Sequence, residues 1–581
     1  MKYTGARVLI ESLIKNGVDT IFGYPGASVL NIYDELGKSK DRIRHILVSH
    51  EQHAVHAADG YARSSGKTGV CIATSGPGAT NLVTGIATAF VDSVPLVAIT
   101  GNVSLSLLGK DSFQEVDIAG ITMPVVKHNW IAEDVNDLAV IINEAFIVAQ
   151  SGRPGPVLID IPRDVSSAVC EYEIEDGASF AASRATGTAS NDRAERLIER
   201  TRRGMYSDDD IRCAVKLIND SKRLMIYAGG GVISSGAGEE LVKLAETLNA
   251  PVALSLMGMG AIPRDHSLCT GLIGMYGTAA SNNAVQNCDL LIALGARFSD
   301  RVTNAFTADN EKQFAKNAKI IHIDIDPAEI NKNKDCDAFI TGDLKEVLKN
   351  MIGEITEKKT NEWGNLINEW KALDNTNKNL SKENNYKTNS NKFLLPDFII
   401  SETAKKFGEN AVVVTDTGQH QIWTAQYYPF KNPRGFLSSG GMGTMGFGMG
   451  ASCGAKIANP DKPVILFTGD GSFRMNSGEI ATMMKYKLPV LIIIFNNQAL
   501  GMLRQWQTNY FKKRYFETSL ENQCPDFIKL ADAYGMRGFR AADEYEFLDA
   551  LNKCAGILSS GLPALIEAVI DKDKIVHPAK F

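Results

Sequence analysis

Nine short apolar runs set what this chain can fold into: TGVCIAT, PVLIDIP, RLMIYAG, PVALSL, DLLIALG, KIIHIDID, AVVVTD, PVILFTGD and PVLIIIFNN. Gly, Pro or Asp bounds them, and helix-patterned stretches separate them. Runs of this length without polar alternation suit strands buried on both faces, as inside a parallel sheet covered by helices. Two regions break the rhythm. Residues 171–209 are rich in Ala, Ser, Arg and acidic side chains. Residues 356–392 are rich in Asn and Lys, although Trp363, Leu366, Ile367 and Trp370 are spaced to pin one helix. The pattern predicts an α/β chain of three doubly wound parallel-sheet domains at 1–165, 190–350 and 393–581, with linkers at 166–189 and 351–392. At 581 residues the chain is long enough for three such cores.

Charge narrows the function. Sixty-one Lys+Arg against 67 Asp+Glu leave a net charge of −6, so neither nucleic acid nor an anionic membrane is an expected partner. No apolar stretch reaches the ~18 residues of a spanning helix. The opening MKYTGARVLI lacks a signal peptide's apolar core. Nine scattered cysteines, none spaced C-x-x-C, suit a reducing compartment. The expectation is a cytoplasmic multidomain enzyme.

The densest chemical signal lies in the third block. GDGSF at residues 469–473 follows the run PVILFT, and the next run, PVLIIIF, ends in Asn496 and Asn497. Glycines at the C-terminal end of a strand let the backbone approach a phosphate, and an Asp carboxylate with an Asn amide oxygen makes a hard ligand pair suited to Mg²⁺. Strand ends at a crevice are where α/β folds bind ligands. Gly469, Asp470, Gly471, Ser472 and Asn497 are therefore candidate site residues. Either motif alone reads as turn formers; the two together at this spacing do not.

Other patterns fail in context. GYARSSGKT has one residue too many between its glycines for a P-loop. Gly441, Gly443 and Gly446 spell G-x-G-x-x-G, but the acid twenty residues on, Asp461, precedes a strand where a dinucleotide site needs it at a strand's end. HEQHAVHAADGYAR at residues 50–63 reads as a helix starting at a strand end, with Ala54, Ala57 and Ala58 on a tightly packed face. His50, His53 and His56 recur every three residues without forming H-E-x-x-H, so they read as packing residues rather than metal ligands.

GDGSF followed by NN at this distance resembles the diphosphate-binding motif of thiamine-diphosphate enzymes. The resemblance implies that Asp470, Asn497 and the carbonyl of Ala499 hold a divalent ion, usually Mg²⁺, which holds the diphosphate. Gln419 and His420 in TGQHQIW match cofactor contacts of that family, as does Met502. Gly443 and Met445 in GMGTMG match its pyrimidine-side loop, Met445 as the apolar wedge that bends the cofactor. In the first block, Glu51 resembles the glutamate that hydrogen-bonds N1′ of the aminopyrimidine. A proton shared there favours the imino tautomer, whose 4′-nitrogen acts as base on the thiazolium C2 proton.

Over nearly its whole length the chain resembles the catalytic large subunit of the acetohydroxyacid synthase family, most tellingly in GMYGT, GARFSDRVT, IHIDIDPAEINKNK and NNQALGMLRQWQ. That family decarboxylates pyruvate and joins the two-carbon product to a second 2-keto acid. The acceptor is pyruvate or 2-oxobutanoate, and the product 2-acetolactate or 2-aceto-2-hydroxybutanoate for branched-chain amino acids. By the same resemblance Arg301 takes the carboxylate of the second substrate, Trp506 walls the larger one, and Phe113 and Gln114 lie near the reacting carbonyl. Arg163 stands at a catalytic position where the family commonly has lysine, keeping charge but not geometry. Arg153, Gly230, Gly231, Gly277, Thr278, Arg297, Asp324 and Asp343 match segments that bind FAD in the family, where the flavin is structural and not redox-active. The bare residues of these segments also read as ordinary strand-end turns. The family's site forms between subunits of a homodimer or homotetramer, with a small regulatory subunit in some members. Two rival readings stay open at this point: another thiamine-diphosphate carboligase such as sulfoacetaldehyde acetyltransferase, and a flavin-dependent oxidoreductase.

Overall fold

The computed structural model describes residues 1–173, 206–303, 314–355, 363–374 and 393–577. They contain three six-stranded sheets. The nine apolar runs all become strands of these sheets, and all pair in parallel. The first sheet runs Arg44–Leu47, Thr20–Gly23, Gly69–Ala73, Leu96–Asn102, Pro156–Pro162, Asn129–Ile131. By chain position that is the order 2-1-3-4-6-5. The third sheet repeats it with Phe436–Ser438, Val412–Thr415, Val464–Gly469, Val490–Asn496, Ala564–Val569 and Arg537–Ala541. The middle sheet differs: Cys269–Leu272, Val252–Leu254, Leu224–Ala228, Leu290–Leu294, Lys319–Asp324 and Ala338–Thr341 give 3-2-1-4-5-6, the order of dinucleotide-binding folds.

Several of the sheet strands lie outside the apolar runs. Arg44–Leu47, Asn129–Ile131 and Phe436–Ser438 are short strands at sheet edges. Leu96–Asn102 and Ala564–Val569 lie inside their sheets, but Thr100 and Glu567 cut their apolar runs. Lys2–Thr4 pairs antiparallel with Val169–Glu171, so the first unit's pairing continues to Glu171. The expected helix in the second polar region forms. Residues 363–374 are helical, Trp363 and Ile367 are buried in the central core with Leu366 and Trp370 packed beside them, and the Trp363 indole donates to the Leu224 carbonyl (2.9 Å).

Two helices hold the first and third domains together. Glu51–Ser65 begins behind His50, whose ring accepts from the Gln52 N–H (3.1 Å), and ends at Gly66 with φ 79°. It lies against Phe447–Ala458 along His53, His56, Ala57 and Gly60, while the predicted alanines Ala54, Ala57 and Ala58 are all buried in the core of the first domain. Gly60 and Gly454 leave no room for a Cβ against Ala451 and Ala57 respectively. A bulkier residue at either would push the backbones apart and forfeit the dispersion contacts of the seam.

Candidate active site

The C-terminal ends of Val464–Gly469 and Val490–Asn496 lie side by side, which brings Asp470 and Asn497 to one pocket of about 80 Å³ with Gln419, His420, Met445 and Ala499. Gly469, Gly471, Ser472 and Met502 also line it. Asp470 Oδ1 accepts from the Gly471 N–H (2.8 Å), while Oδ2 is buried without a partner, as is Gln419 Oε1. Burial pushes the Asp470 carboxyl up to about 7, against the pull of the Gly471, Gln498 and Ala499 N–H groups. The turn that carries Asn497 is tied by its own side chains: Asn496 Oδ1 accepts from Gln498 N–H (3.1 Å) and Asn497 Oδ1 from Ala499 N–H (3.0 Å). Two orphaned buried oxygens beside a hard amide oxygen fit a divalent cation, which would hold Asp470 ionised. His420 is kept neutral, pushed down to about 3 by burial, with Nε2 unpartnered.

A second cavity of about 570 Å³ lies where all three domains meet. It opens at the point where the middle sheet reverses its order, between Leu224–Ala228 and Leu290–Leu294, the place where such sheets bind ligands. The turns after these strands interlock, since Gly229 and Gly231 have no space for a Cβ against Gly295, itself at φ 53°. Gly230, Gly231, Arg153, Arg297 and Asp324 line this cavity. Burial pushes Asp324 up to about 6. The volume lies within the ~300–1,000 Å³ of ligand pockets, and its backbone-lined floor and two guanidiniums fit an anionic dinucleotide such as FAD. Three residues of the flavin resemblance stand elsewhere. Thr278 caps Ala279–Asn287 by accepting from Ser281 N–H (3.1 Å), Gly277 packs under the Leu272 carbonyl, and Asp343 caps Leu344–Glu354.

Two of the three expected substrate residues, Arg301 and Trp506, meet in that same cavity; Phe113 does not line it. The Arg301 guanidinium lies 5.4 Å from the centroid of the Trp506 ring, and both line the wall. Thr417 and Met502 line both cavities, so the Asp470 pocket and the Arg301–Trp506 pair are neighbours. Gly443 sits on the larger cavity and Met445 on the smaller.

The first domain's candidate catalytic residues line neither cavity. Glu51 Oε2 accepts from Asn81 Nδ2 (2.9 Å), with Gly78 packed beside the carboxylate. Gln114 takes φ 60° and closes over Gly76. Phe113 is 88% exposed, and Arg163 is exposed at the start of Arg163–Ser167. The pocket that holds Asp470 is lined by third-domain residues only; Glu51 is not among them. The histidines divide their work within the protein: His50 caps the helix, His53 pairs with Glu479, and His56 is buried against Phe447. Sequence reasoning missed Asn81, whose SGPGATN turn was visible, and Thr417, a small residue in a turn with no signal of its own.

Three family models match: "Thiamine pyrophosphate enzyme, N-terminal TPP binding domain" over residues 3–121, the central domain over 211–351, and the C-terminal TPP binding domain over 416–568. The chain is 45% identical over 572 residues to a probable acetolactate synthase large subunit of Methanocaldococcus jannaschii, covering 98% of this chain and 92% of that one. It is 43% identical to the acetolactate synthase large subunit of Cyanidium caldarium (99% and 94% covered) and to an acetolactate synthase of Mycobacterium leprae (99% and 88% covered). The chain belongs to the acetolactate synthase family of thiamine pyrophosphate enzymes. Within that family the cofactor-binding models fall on the first and third domains, the two that carry Glu51 and Asp470. The chain is thus a thiamine-diphosphate enzyme of three α/β domains.

Proposed function

We propose that this enzyme is an acetolactate synthase that decarboxylates pyruvate and transfers its two-carbon unit to a second 2-keto acid in branched-chain amino acid biosynthesis. With pyruvate as acceptor the product is 2-acetolactate; with 2-oxobutanoate it is 2-aceto-2-hydroxybutanoate. The observation that carries the reading is the shared wall of Thr417 and Met502 between the Asp470 pocket and the Arg301–Trp506 pair. It supports Arg301 as the cation for a substrate carboxylate and Trp506 as an apolar wall, beside the pocket that would hold the cofactor. Thiamine diphosphate, when bound, supplies the electron sink that decarboxylation of a 2-keto acid needs. Asp470, Asn497 and the Ala499 carbonyl would hold its Mg²⁺, and Gln419, His420, Gly443 and Met445 its rings and diphosphate. Glu51 would hold a proton at N1′ of the aminopyrimidine. Arg301 orients the acceptor's carboxylate, Trp506 presses on its alkyl group, and Phe113, Gln114 and Arg163 complete the site over the reacting carbonyl.

FAD in the larger cavity would lie on Gly230, Gly231, Arg153, Arg297 and Asp324 as a structural ligand. Glu51 does not line the Asp470 pocket of its own chain, which supports a site built from two copies, in a homodimer or homotetramer. A cytoplasmic location, and assembly with a small regulatory subunit, belong to the same reading. Among the described residues no helix is long and apolar enough to cross a membrane.

The test is acetolactate and CO₂ formation from pyruvate with thiamine diphosphate and Mg²⁺, with and without FAD, then with 2-oxobutanoate added. Product in the complete mixture is expected. No acetolactate in any combination overturns the reading, and anaerobic bleaching of the flavin by substrate would replace it with an oxidoreductase.

A further inference from the structure

We propose that the turn at residues 91–93 couples the large cavity to the thiamine loop, with Asp92 as its positioning residue; this rests on the cofactor reading above. The turn ends the helix Val83–Val91 and touches both sites at once. On the cavity side, the Val91 carbonyl accepts from Arg297 Nη1 (2.7 Å) and Arg153 Nη2 (3.3 Å). Ser93, held at φ 62°, accepts from Arg153 Nε through its hydroxyl (2.7 Å). Val91 and Ser93 therefore help aim both cavity arginines: Arg153 of their own domain, which also pairs with Glu329 (2.9 Å) and Asp326 (3.4 Å), and Arg297 of the middle domain.

On the other side, the Asp92 carboxylate accepts from the backbone N–H groups of Gly440 (3.0 Å) and Gly441 (2.8 Å). Those glycines open the segment that leads to Gly443 and Met445. Thr88, one turn back on the same helix, bonds Thr444 hydroxyl to hydroxyl (2.7 Å). The Asp92 side chain is fully buried. Arg63 Nη2 donates to it (3.0 Å) while pairing with Asp59, so two carboxylates share one guanidinium and the glycine amides meet the surplus charge. Charge-assisted bonds to backbone N–H groups are strong and directional. A ligand whose phosphates draw on Arg153 and Arg297 pulls on the turn, and through Asp92 fixes the loop that must meet the thiamine cofactor. A flavin with no redox task then has a physical one.

Linkage makes the idea testable, because each cofactor must tighten the other by the same factor. The Kd of FAD is read from quenching of flavin fluorescence, with and without thiamine diphosphate and Mg²⁺, and the Kd of thiamine diphosphate with and without FAD. Roughly tenfold mutual tightening is expected in the unsubstituted protein, within the ~5–150-fold range of such couplings. In Asp92→Asn one acceptor oxygen becomes a donor, and the coupling should fall to within about twofold of none. Gly441→Ala attacks the same contact from the loop side, since its methyl would crowd Val91 and lie 2.9 Å from Asp92 Oδ1. Gly441 is exposed, so this variant keeps the test open if Asp92→Asn does not fold. A merely structural lesion would weaken each cofactor alone and leave the coupling factor intact. Unchanged coupling in a folded variant, or independent binding of both cofactors in the unsubstituted protein, overturns the inference. Failure of the unsubstituted protein to bind FAD at all overturns the cofactor reading on which it stands.

Discussion

The first and third domains share one strand order, and their equivalent helices, each following the second strand, pack on one another as Glu51–Ser65 and Phe447–Ala458. At matching strand ends they carry different chemistry. After its third strand the first domain has SGPG at residues 75–78, with Asn81 held to Glu51. The third domain has GDG at residues 469–471, with Asp470 buried and half unpartnered. One edge offers a hydrogen-bonded carboxylate, the other a buried carboxylate with one oxygen unpartnered, and the proposed function gives the first a proton and the second a cation. A common scaffold thus gives two acids opposite environments, the partnered one half-buried and the other sealed.

The contrast breaks most sharply at Glu51. Glu51→Gln should lower kcat by ~10²–10⁴-fold, the usual worth of a positioned acid–base group, with little change in thiamine diphosphate affinity measured by titration. Loss of cofactor binding instead would mean that Glu51 does the anchoring assigned to Asp470. A smaller effect is expected at Trp506→Leu. Removing the wall should shift product toward 2-acetolactate in a pyruvate/2-oxobutanoate competition by ~10-fold, the low end of what one methyl group is worth in a pocket; an unchanged ratio removes Trp506 from specificity.

The smallest expected effect concerns the seam between the two domains. His53 is hydrogen-bonded to Glu479, which also accepts from the Ser49 N–H (3.2 Å), and Asn476 and Asp416 face the imidazole with His50 and His56 nearby. Burial alone would lower the His53 pKa, but the Glu479 carboxylate more than offsets it and holds the ring above its ordinary 6.5. A raised folded-state value means that the pair's stabilisation is complete at pH below about 6.5 and is lost as pH climbs through the raised value. The melting temperature of His53→Gln should therefore fall furthest below that of the unsubstituted protein in mild acid, and the gap should close in alkaline buffer. A gap that widens with pH reverses the assignment.

What could be read from the sequence follows the same divide. Asp470, Asn497 and their strands were legible because the elements that build the pocket are near in sequence and each ends a long apolar run. The alanine face of Glu51–Ser65 was legible from helical spacing. Asp92 was not, since an Asp before Ser in a turn is the commonest of turn formers, and its partners at Arg63, Gly440 and Gly441 come from distant segments. Nor could spacing separate Arg153 and Arg297, which line the cavity, from Thr278 and Asp343, which cap helices. A cap and a ligand contact use the same residue types at the same strand ends.

The most direct measurement mixes two crippled chains. Glu51→Gln and Asp470→Ala proteins are each expected to form almost no acetolactate alone. If the site is built from the first domain of one copy and the third domain of another, mixed dimers regain one intact site of two. Random reassortment should then restore about a quarter of the unsubstituted activity. Activity that stays at the level of the separate variants, with mixed dimers shown to form, would place Glu51 and Asp470 in one chain's own site and contradict the account.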